Sequence, residues 1–114
     1  MKIKTEYVGK WRIIEMSEWD KDFIDLVAPG HLTIKADGTG KFAFGAFEAE
    51  VACQVEKKGD HERLVFSFEG CDEGDEANGK GWATVQGNQI EGWFRFHSGD
   101  ESTFKAQQQK RKRV

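Results

Sequence analysis

The chain has 114 residues, of which 38% are hydrophobic and 12% aromatic, so it is long enough for one core and too apolar to be disordered. Its formal net charge of −3 is unevenly distributed, because residues 1 to 104 alone carry a net charge of −8 and the last ten positions hold five of the seventeen basic residues. A body this acidic repels phosphate backbones, which excludes nucleic acid as an expected partner.

The sequence carries no recognisable membrane or export signal. No apolar run approaches the roughly 18 residues that a membrane span needs, and residues 1–6 lack the apolar core of a signal peptide. We therefore expect a cytoplasmic protein with no membrane contact. We also expect a single domain over residues 1–114, whose basic tail, residues 107–114, is either a solvated terminus or a segment that binds anions or the acidic body.

The first predicted strand covers about residues 10 to 16 and follows Gly9-Lys10-Trp11. Ser17 with Asp20 three positions later forms a variant of the capping box, which predicts a short helix ended by Ala28-Pro29-Gly30. The apolar stripe expected on this helix consists of Trp19, Phe23 and Leu26 or Val27.

The next segments alternate between apolar and polar residues. A strand at 31–36 is followed by the turn Asp37-Gly38 and a strand near 41–44, and a half-buried strand is predicted at 47–56. Gly45-Ala46 is compatible with a tight turn or with a bulge in one long strand. The count is accordingly eight or seven strands.

The second half of the chain predicts a strand at 64–68, an acidic loop at 71–79 and a hairpin centred on Gly87-Asn88. This centre places Trp82 opposite Trp93. The last strand is predicted at 102–108. Together these elements predict an all-β, antiparallel meander barrel of seven or eight strands with one short helix after the first strand.

Two cysteines are too far apart in this arrangement to form a disulfide. If the hairpin between them turns near Gly59, Cys53 faces residue 65, which leaves it about 20 Å from Cys71 along the sheet. We expect two free thiols, with Cys53 packed in the core and Cys71 in a loop.

The start at Gly9-Lys10-Trp11, the adjoining helical turn, the run of antiparallel strands and a basic residue near the end resemble the calycin superfamily of lipocalins and fatty-acid-binding proteins. Segments 19–23, 66–73, 79–83 and 97–100 also look like a family of small uncharacterised bacterial proteins, a likeness that implies no activity. The calycin resemblance implies a ligand-binding barrel. Because inward aromatic side chains would fill so small a barrel, we expect any ligand at its mouth.

Loops 70–79 and 98–101 flank the same hairpin and must emerge at one end of the barrel. With eight strands, the helix joins that end, whereas with seven it lies at the other. Crowded carboxylates either recruit a cation or form a solvated surface. The side chains gathered at this rim are Asp72, Glu73, Asp75, Glu76, His97, Asp100 and Glu101. Their spacing does not match a calcium loop or a two-histidine site, so no metal and no cofactor is predicted.

Trp82 and Trp93 lie on the polar face of their hairpin. On the outer surface they would form an apolar patch that predicts a protein partner or a homodimer, or pack beneath the N-terminal segment. In the cavity they would form, with Arg95 and His97, an aromatic box for a small anion. Because Ile90, Phe94 and Phe96 on the opposite face are stronger core candidates, we favour the outer surface.

The sequence thus favours a non-enzymatic binding or interaction module, with a small molecule at the mouth or a protein partner on the tryptophan or acidic surface. The alternative is a small enzyme in which His97 works with Asp100 or Glu73 as acid and base, with or without a metal. The candidate site residues are Trp82, Trp93, Arg95, His97, Asp72, Glu73, Asp75 and Asp100.

Overall fold

The computed structural model describes residues 5–109 and contains eight antiparallel strands closed into a barrel. Each strand pairs with its neighbour in sequence, and β1 pairs with β8 to close the sheet. The strands are β1 Gly9–Met16, β2 His31–Ile34, β3 Thr39–Phe44, β4 Phe47–Lys58, β5 His61–Asp72, β6 Asp75–Gln86, β7 Gln89–Phe96 and β8 Glu101–Gln108. A 3₁₀ turn, Thr5–Tyr7, precedes β1, and the helix α1, Lys21–Ile24, follows it. The predicted meander barrel with one short helix is confirmed.

The chain reverses at Gly45-Ala46, which decides the strand count in favour of eight. Phe44 and Phe47 pair directly across this turn. Gly45 has a φ of +58°. A β-carbon at this position would lie 2.7 Å from the Phe23 ring, which is too close for a side chain. The Gly45 N–H also donates to the carbonyl of Ile24 at 2.9 Å. This turn therefore holds the helix at the same end of the barrel.

Residues 71–79 form a long hairpin, so the predicted acidic loop is wrong. Asp72 pairs with Asp75 and Cys71 with Glu76, and only Glu73 and Gly74 make the turn, both with positive φ. Cross-strand pairing satisfies the backbone here while the acidic side chains remain exposed. The polarity of the sequence reflects this exposure and not a lack of strand structure.

The predicted start of the helix at Ser17 is also wrong. Asp20 is the N-cap, with its carboxylate accepting a hydrogen bond from the Phe23 N–H at 2.9 Å. The Ser17 N–H donates to the carbonyl of Thr103, so Ser17 extends the pairing with β8 instead.

The predicted apolar stripe fails at its far end. Leu26 and Val27 are 63% and 73% exposed, whereas Ile24 is fully buried. Because α1 has only four residues, a stripe extending two turns has no helix to carry it.

Phenylalanine rings fill the interior of the barrel. The centroids of Phe44, Phe47, Phe66, Phe68, Phe94 and Phe104 lie 5.1–6.2 Å from that of Phe42. Three inward glycines make room for these rings: the β-carbons that Gly79, Gly81 and Gly92 lack would lie 2.6–2.9 Å from their cross-strand partners Phe68, Phe66 and Phe104. A phenylalanine therefore faces a glycine across the sheet at three positions, two between β5 and β6 and one between β7 and β8.

The two cysteines are free thiols, as predicted. The turn at Gly59-Asp60 places Cys53 opposite Phe66, one position from the expected partner. Cys71 lies in β5 and is exposed, so its predicted place in a loop is wrong. The basic residues Lys110 to Arg113 of the tail, and residues 1–4, lie outside the described residues. Within residues 5–109, no helix has the length and apolar character needed to cross a membrane.

Trp11 closes the end of the barrel opposite to α1. Its side chain is fully buried, and its indole N–H donates to the carbonyl of Tyr7 at 2.9 Å. We expect Trp11→Ala to lower the free energy of unfolding by about 3–5 kcal/mol, because it leaves a cavity and an unpaired carbonyl. Denaturant titration followed by circular dichroism measures the loss. Trp93→Ala, at a half-buried position, is the matched control and should lose about 1 kcal/mol. Equal losses of unfolding free energy in the two variants would contradict the place of Trp11 in the core.

Burial raises the pKa of the Cys53 thiol to about 12. Because the thiolate is the reactive form, Cys53 should resist a disulfide reagent at about pH 8 while the exposed Cys71 reacts quickly. Absorbance of the released reagent should show one fast equivalent per chain. Cys71→Ser should abolish this fast phase and Cys53→Ser should retain it. Two fast equivalents in the folded protein would show that Cys53 is not protected.

Candidate functional site

Four connections meet at the end of the barrel that carries α1. They span residues 17–30, 45–46, 73–74 and 97–100, and they hold six carboxylates and a single lysine, Lys21. A cavity of about 510 Å³ opens between them, and we call it the mouth. Its apolar lining consists of Trp19, Phe23, Phe44, Phe47, Ala77 and Phe96, and its polar lining of Asp72, Asp75, Glu76, Asn78, His97, Ser98 and Asp100.

The apolar floor of the mouth is continuous with the core. The Trp19 ring lies 5.1 Å from that of Phe44 and stacks on Phe94 at 6.2 Å with an interplanar angle of 12°. Phe47 meets Phe96 edge to face at 5.1 Å. Trp19 is half-buried, so part of its ring faces the cavity. The floor is therefore an aromatic surface packed directly on the core.

The segment bearing Trp19 and Phe23 is tied to β1 through Asp25. One oxygen of Asp25 lies 2.8 Å from the Arg12 guanidinium and 2.6 Å from the Lys21 ammonium. The other oxygen accepts a hydrogen bond from the Gly30 N–H at 2.9 Å. Partial burial raises the pKa of Asp25, but these hydrogen bonds and cations outweigh it, so the pKa lies below its ordinary value.

No cation in the described part of the chain pairs with the carboxylates at the rim. Asp72, Asp75, Glu76 and Asp100 are exposed, and none of them forms an ion pair within residues 5–109. Among the residues that the structure describes, the lining contains neither lysine nor arginine. Carboxylates therefore surround an aromatic floor in the mouth, and the charge of these groups favours a cation over an anion.

The structure brings most of the predicted rim residues together. Asp72, Asp75, Glu76, His97 and Asp100 all line the mouth. The two other rim residues differ: Glu73 occupies the hairpin turn and is not part of the lining, and Glu101 borders a separate recess beside Trp19.

The predicted acid and base share the mouth without forming a hydrogen-bonded pair. Backbone hydrogen bonds hold the connection 97–100. The Phe96 N–H donates to the backbone carbonyl of Asp100, and the His97 N–H donates to the backbone carbonyl of Asn78, both at 2.8 Å. Among residues 5–109, the His97 ring has no side-chain hydrogen bond, so Asp100 does not orient it. The part of the chain described also contains no cluster of three or more His, Cys, Asp or Glu side chains able to hold a metal ion.

Trp82 and Trp93 lie on the outer wall of the barrel, directly opposite each other as predicted, and both are half-buried. Arg95 is exposed on the same wall, opposite Glu101. The aromatic box inside the cavity is therefore wrong, because Ile90 and Phe94 take the inward face of this hairpin.

Within the described residues, the two indole rings make no ring contact with each other. Instead, the Arg63 guanidinium lies 5.4 Å from the centroid of Trp82. Sequence reasoning missed Arg63 and Lys80 beside these rings, although the alternation of β5 and β6 places both on the outer face.

Sequence reasoning also missed Phe44, Phe47 and Phe96 as lining of the mouth, treating them only as core. The signal was available in Gly45-Ala46, since a turn there brings Phe44 and Phe47 to the same end as the helix. No protein-family model, curated protein or solved structure matches this chain.

We expect Asp25→Asn to lower the free energy of unfolding by about 1–2 kcal/mol near pH 7, because two ion pairs are lost. The folded pKa of Asp25 is depressed, so its contribution is present above the unfolded pKa of about 3.9 and disappears as the pH falls through the folded value. Denaturant titrations from about pH 7 to pH 2 should show the two proteins converging in acid.

Asp22→Asn is the matched control, because Asp22 is exposed and forms no ion pair among the residues described. It should change stability by less than about 0.5 kcal/mol at any pH. A constant difference between Asp25→Asn and the parent protein down to the lowest pH would contradict the role of this carboxylate.

Proposed function

We propose that the protein binds a small organic cation with an apolar or aromatic part in its mouth. The single observation that carries this proposal is the composition of one cavity. Five aromatic side chains line it together with four carboxylates that form no ion pair within residues 5–109, and no lysine or arginine of that range is part of the lining. An ammonium group attached to a ring matches both halves of this lining.

The size of the cavity supports a small ligand. About 510 Å³ falls within the usual range of ligand pockets, roughly 300–1,000 Å³. Below the mouth, the phenylalanine rings around Phe42 occupy the barrel. The ligand would therefore rest on the floor and keep part of its surface in water.

The expected affinity is modest. Covering about 100 Å² of apolar ligand surface contributes about 2.5 kcal/mol. A partly hydrated ammonium near aromatic faces adds about 0.5–2 kcal/mol, and the surrounding carboxylates add about 1 kcal/mol. These contributions total about 4–5.5 kcal/mol before the entropy of association is subtracted, so a dissociation constant no tighter than about 0.1–1 mM is expected for a simple aromatic amine.

A calycin-like relationship is part of this proposal. The closed meander of eight strands, the short helix after β1 and the start at Gly9-Lys10-Trp11 support it. In this interpretation the protein is a binding barrel whose interior is too full for a large lipid and whose ligand site has moved outward to the mouth.

Binding is supported better than catalysis. An acid–base mechanism needs a base held by a second group, and the His97 ring has no such partner within residues 5–109. Glu73, the other predicted partner, lies outside the lining of the mouth. The acid–base activity of His97 with Asp100 or Glu73 stays a prediction, which no observation on the described residues favours.

Indole N–H signals in a proton–nitrogen NMR spectrum test the proposal. The four tryptophans occupy distinct places: Trp11 in the core, Trp19 in the mouth, and Trp82 and Trp93 on the outer wall. Titration with phenethylammonium should shift the Trp19 signal and leave that of Trp11 in place. Phenylethanol, of similar shape without the charge, should bind about fivefold more weakly or worse.

The double variant Asp72→Asn with Asp75→Asn should weaken phenethylammonium binding by about fivefold or more. The control with the same change in charge is Asp60→Asn with Glu91→Gln, at exposed positions away from the mouth, and it should bind like the parent protein. Equal affinity for phenethylammonium and phenylethanol, or no shift at Trp19, would contradict the proposal.

A further inference from the structure

A second concave surface lies on the outer wall of the barrel, away from the mouth. It has a volume of about 540 Å³ and crosses strands β4 to β7. We call it the outer groove and define it by Gln54, Val65, Ser67, Lys80, Trp82 and Trp93. None of these residues lines the mouth, so the two surfaces are separate.

The groove contains a continuous outward row of side chains. Gln54 pairs with Val65, Val65 with Trp82, and Trp82 with Trp93. In the adjacent row, Ala52 and Ser67 are small and leave a recess beside the indoles. Val65, Trp82 and Trp93 are all half-buried, so a band of apolar surface remains in contact with water.

The two indoles are directly opposite each other but make no ring contact among the described residues. One side of Trp82 is covered by the Arg63 guanidinium, which Glu56 holds at 3.2 Å. Trp93 has no ring partner within the described part of the chain. Aromatic surface is therefore left for a further planar ring to stack against.

Two cations border this aromatic surface. Lys80 lies in the groove and pairs across the sheet with Arg95, an arrangement of like charges that destabilises a sheet. Neither forms an ion pair within residues 5–109. Glu101 is directly opposite Arg95 and still does not reach ion-pair distance.

The position of these cations is informative because the chain is acidic. Residues 1 to 104 carry a net charge of −8, yet Lys80 and Arg95, which form no ion pair within residues 5–109, lie beside one pair of tryptophans. An anion placed between Lys80 and Arg95 would relieve their mutual repulsion. The charge and the aromatic surface therefore call for the same ligand.

We propose that the outer groove binds a small planar aromatic carboxylate. Its ring lies against Trp82 and Trp93, and its carboxylate accepts hydrogen bonds from Lys80 and Arg95. This site is independent of the proposed function of the mouth and selects the opposite charge.

The same observations disfavour a second copy of the chain as the occupant. A two-fold contact through this groove would bring Lys80 and Arg95 of one copy towards their equivalents in the other, between two bodies that are both acidic. The volume of about 540 Å³ matches a small molecule.

The test is a titration with 2-naphthoate followed by the indole N–H signals, assigned with Trp82→Phe and Trp93→Phe. We expect the Trp82 and Trp93 signals to shift while those of Trp11 and Trp19 stay in place. The matched cation, 2-naphthylmethylammonium, should leave Trp82 and Trp93 unshifted. Lys80→Gln should weaken naphthoate binding by about fivefold. Lys41→Gln, an exposed lysine on β3 outside the groove, should bind like the parent protein.

Three outcomes would overturn the proposal. Naphthoate could leave both outer signals in place, or Lys80→Gln could bind as tightly as the parent protein. The Trp82 and Trp93 signals could also change with protein concentration in the absence of naphthoate, which would assign the groove to a second copy. Because Lys80 is exposed, its variant should fold, and an unchanged Trp11 signal verifies this. The response of Trp19 to phenethylammonium tests the mouth separately.

Discussion

The packing of phenylalanine rings on glycine backbones is the constraint on which the rest of the structure depends. Phe66, Phe68 and Phe104 each face a glycine across the sheet, and a β-carbon on any of those glycines would lie within 3 Å of the ring. This pairing lets many rings enter a small barrel at core density. It also leaves the interior occupied, so a ligand has the ends and the outer wall available to it. Any ligand-binding site of this barrel is therefore expected at its surface.

The end that carries α1 is shaped by the meander itself. Because consecutive strands alternate in direction, every second connection falls at the same end, and the acidic side chains of distant segments converge there. Asp72 and Asp100 come from different hairpins yet line one cavity with Trp19. Asp25 fixes the segment that supplies the aromatic part of the floor. Different segments thus supply the carboxylates and the aromatic surface, and both groups line the mouth.

The outer wall carries cations where the mouth carries carboxylates. Lys80 and Arg95 are neighbours only because β6 and β7 pair in a register that also aligns Trp82 with Trp93. Register sets both pairs at once, since side chains on one face recur at every second residue. One small barrel thus carries carboxylates at its mouth and Lys80 and Arg95 beside the tryptophans of its outer wall.

The sequence by itself separated the two faces of each strand, because alternation is a local property of the chain. It placed Trp82 opposite Trp93 and gathered Asp72 and Asp100 at one end, and it favoured Phe94 inside and Trp93 outside, a choice that the tertiary structure decided. Only the tertiary structure decided the extent of the 71–79 hairpin, whose polar outward residues conceal its pairing, and the Asp20 cap, because Ser17 is drawn into pairing with β8. It also decided that Lys80 borders the tryptophans and that Phe44 and Phe47 line the mouth. These features depend on strand length, register and closure, which are set by contacts between residues far apart in the chain.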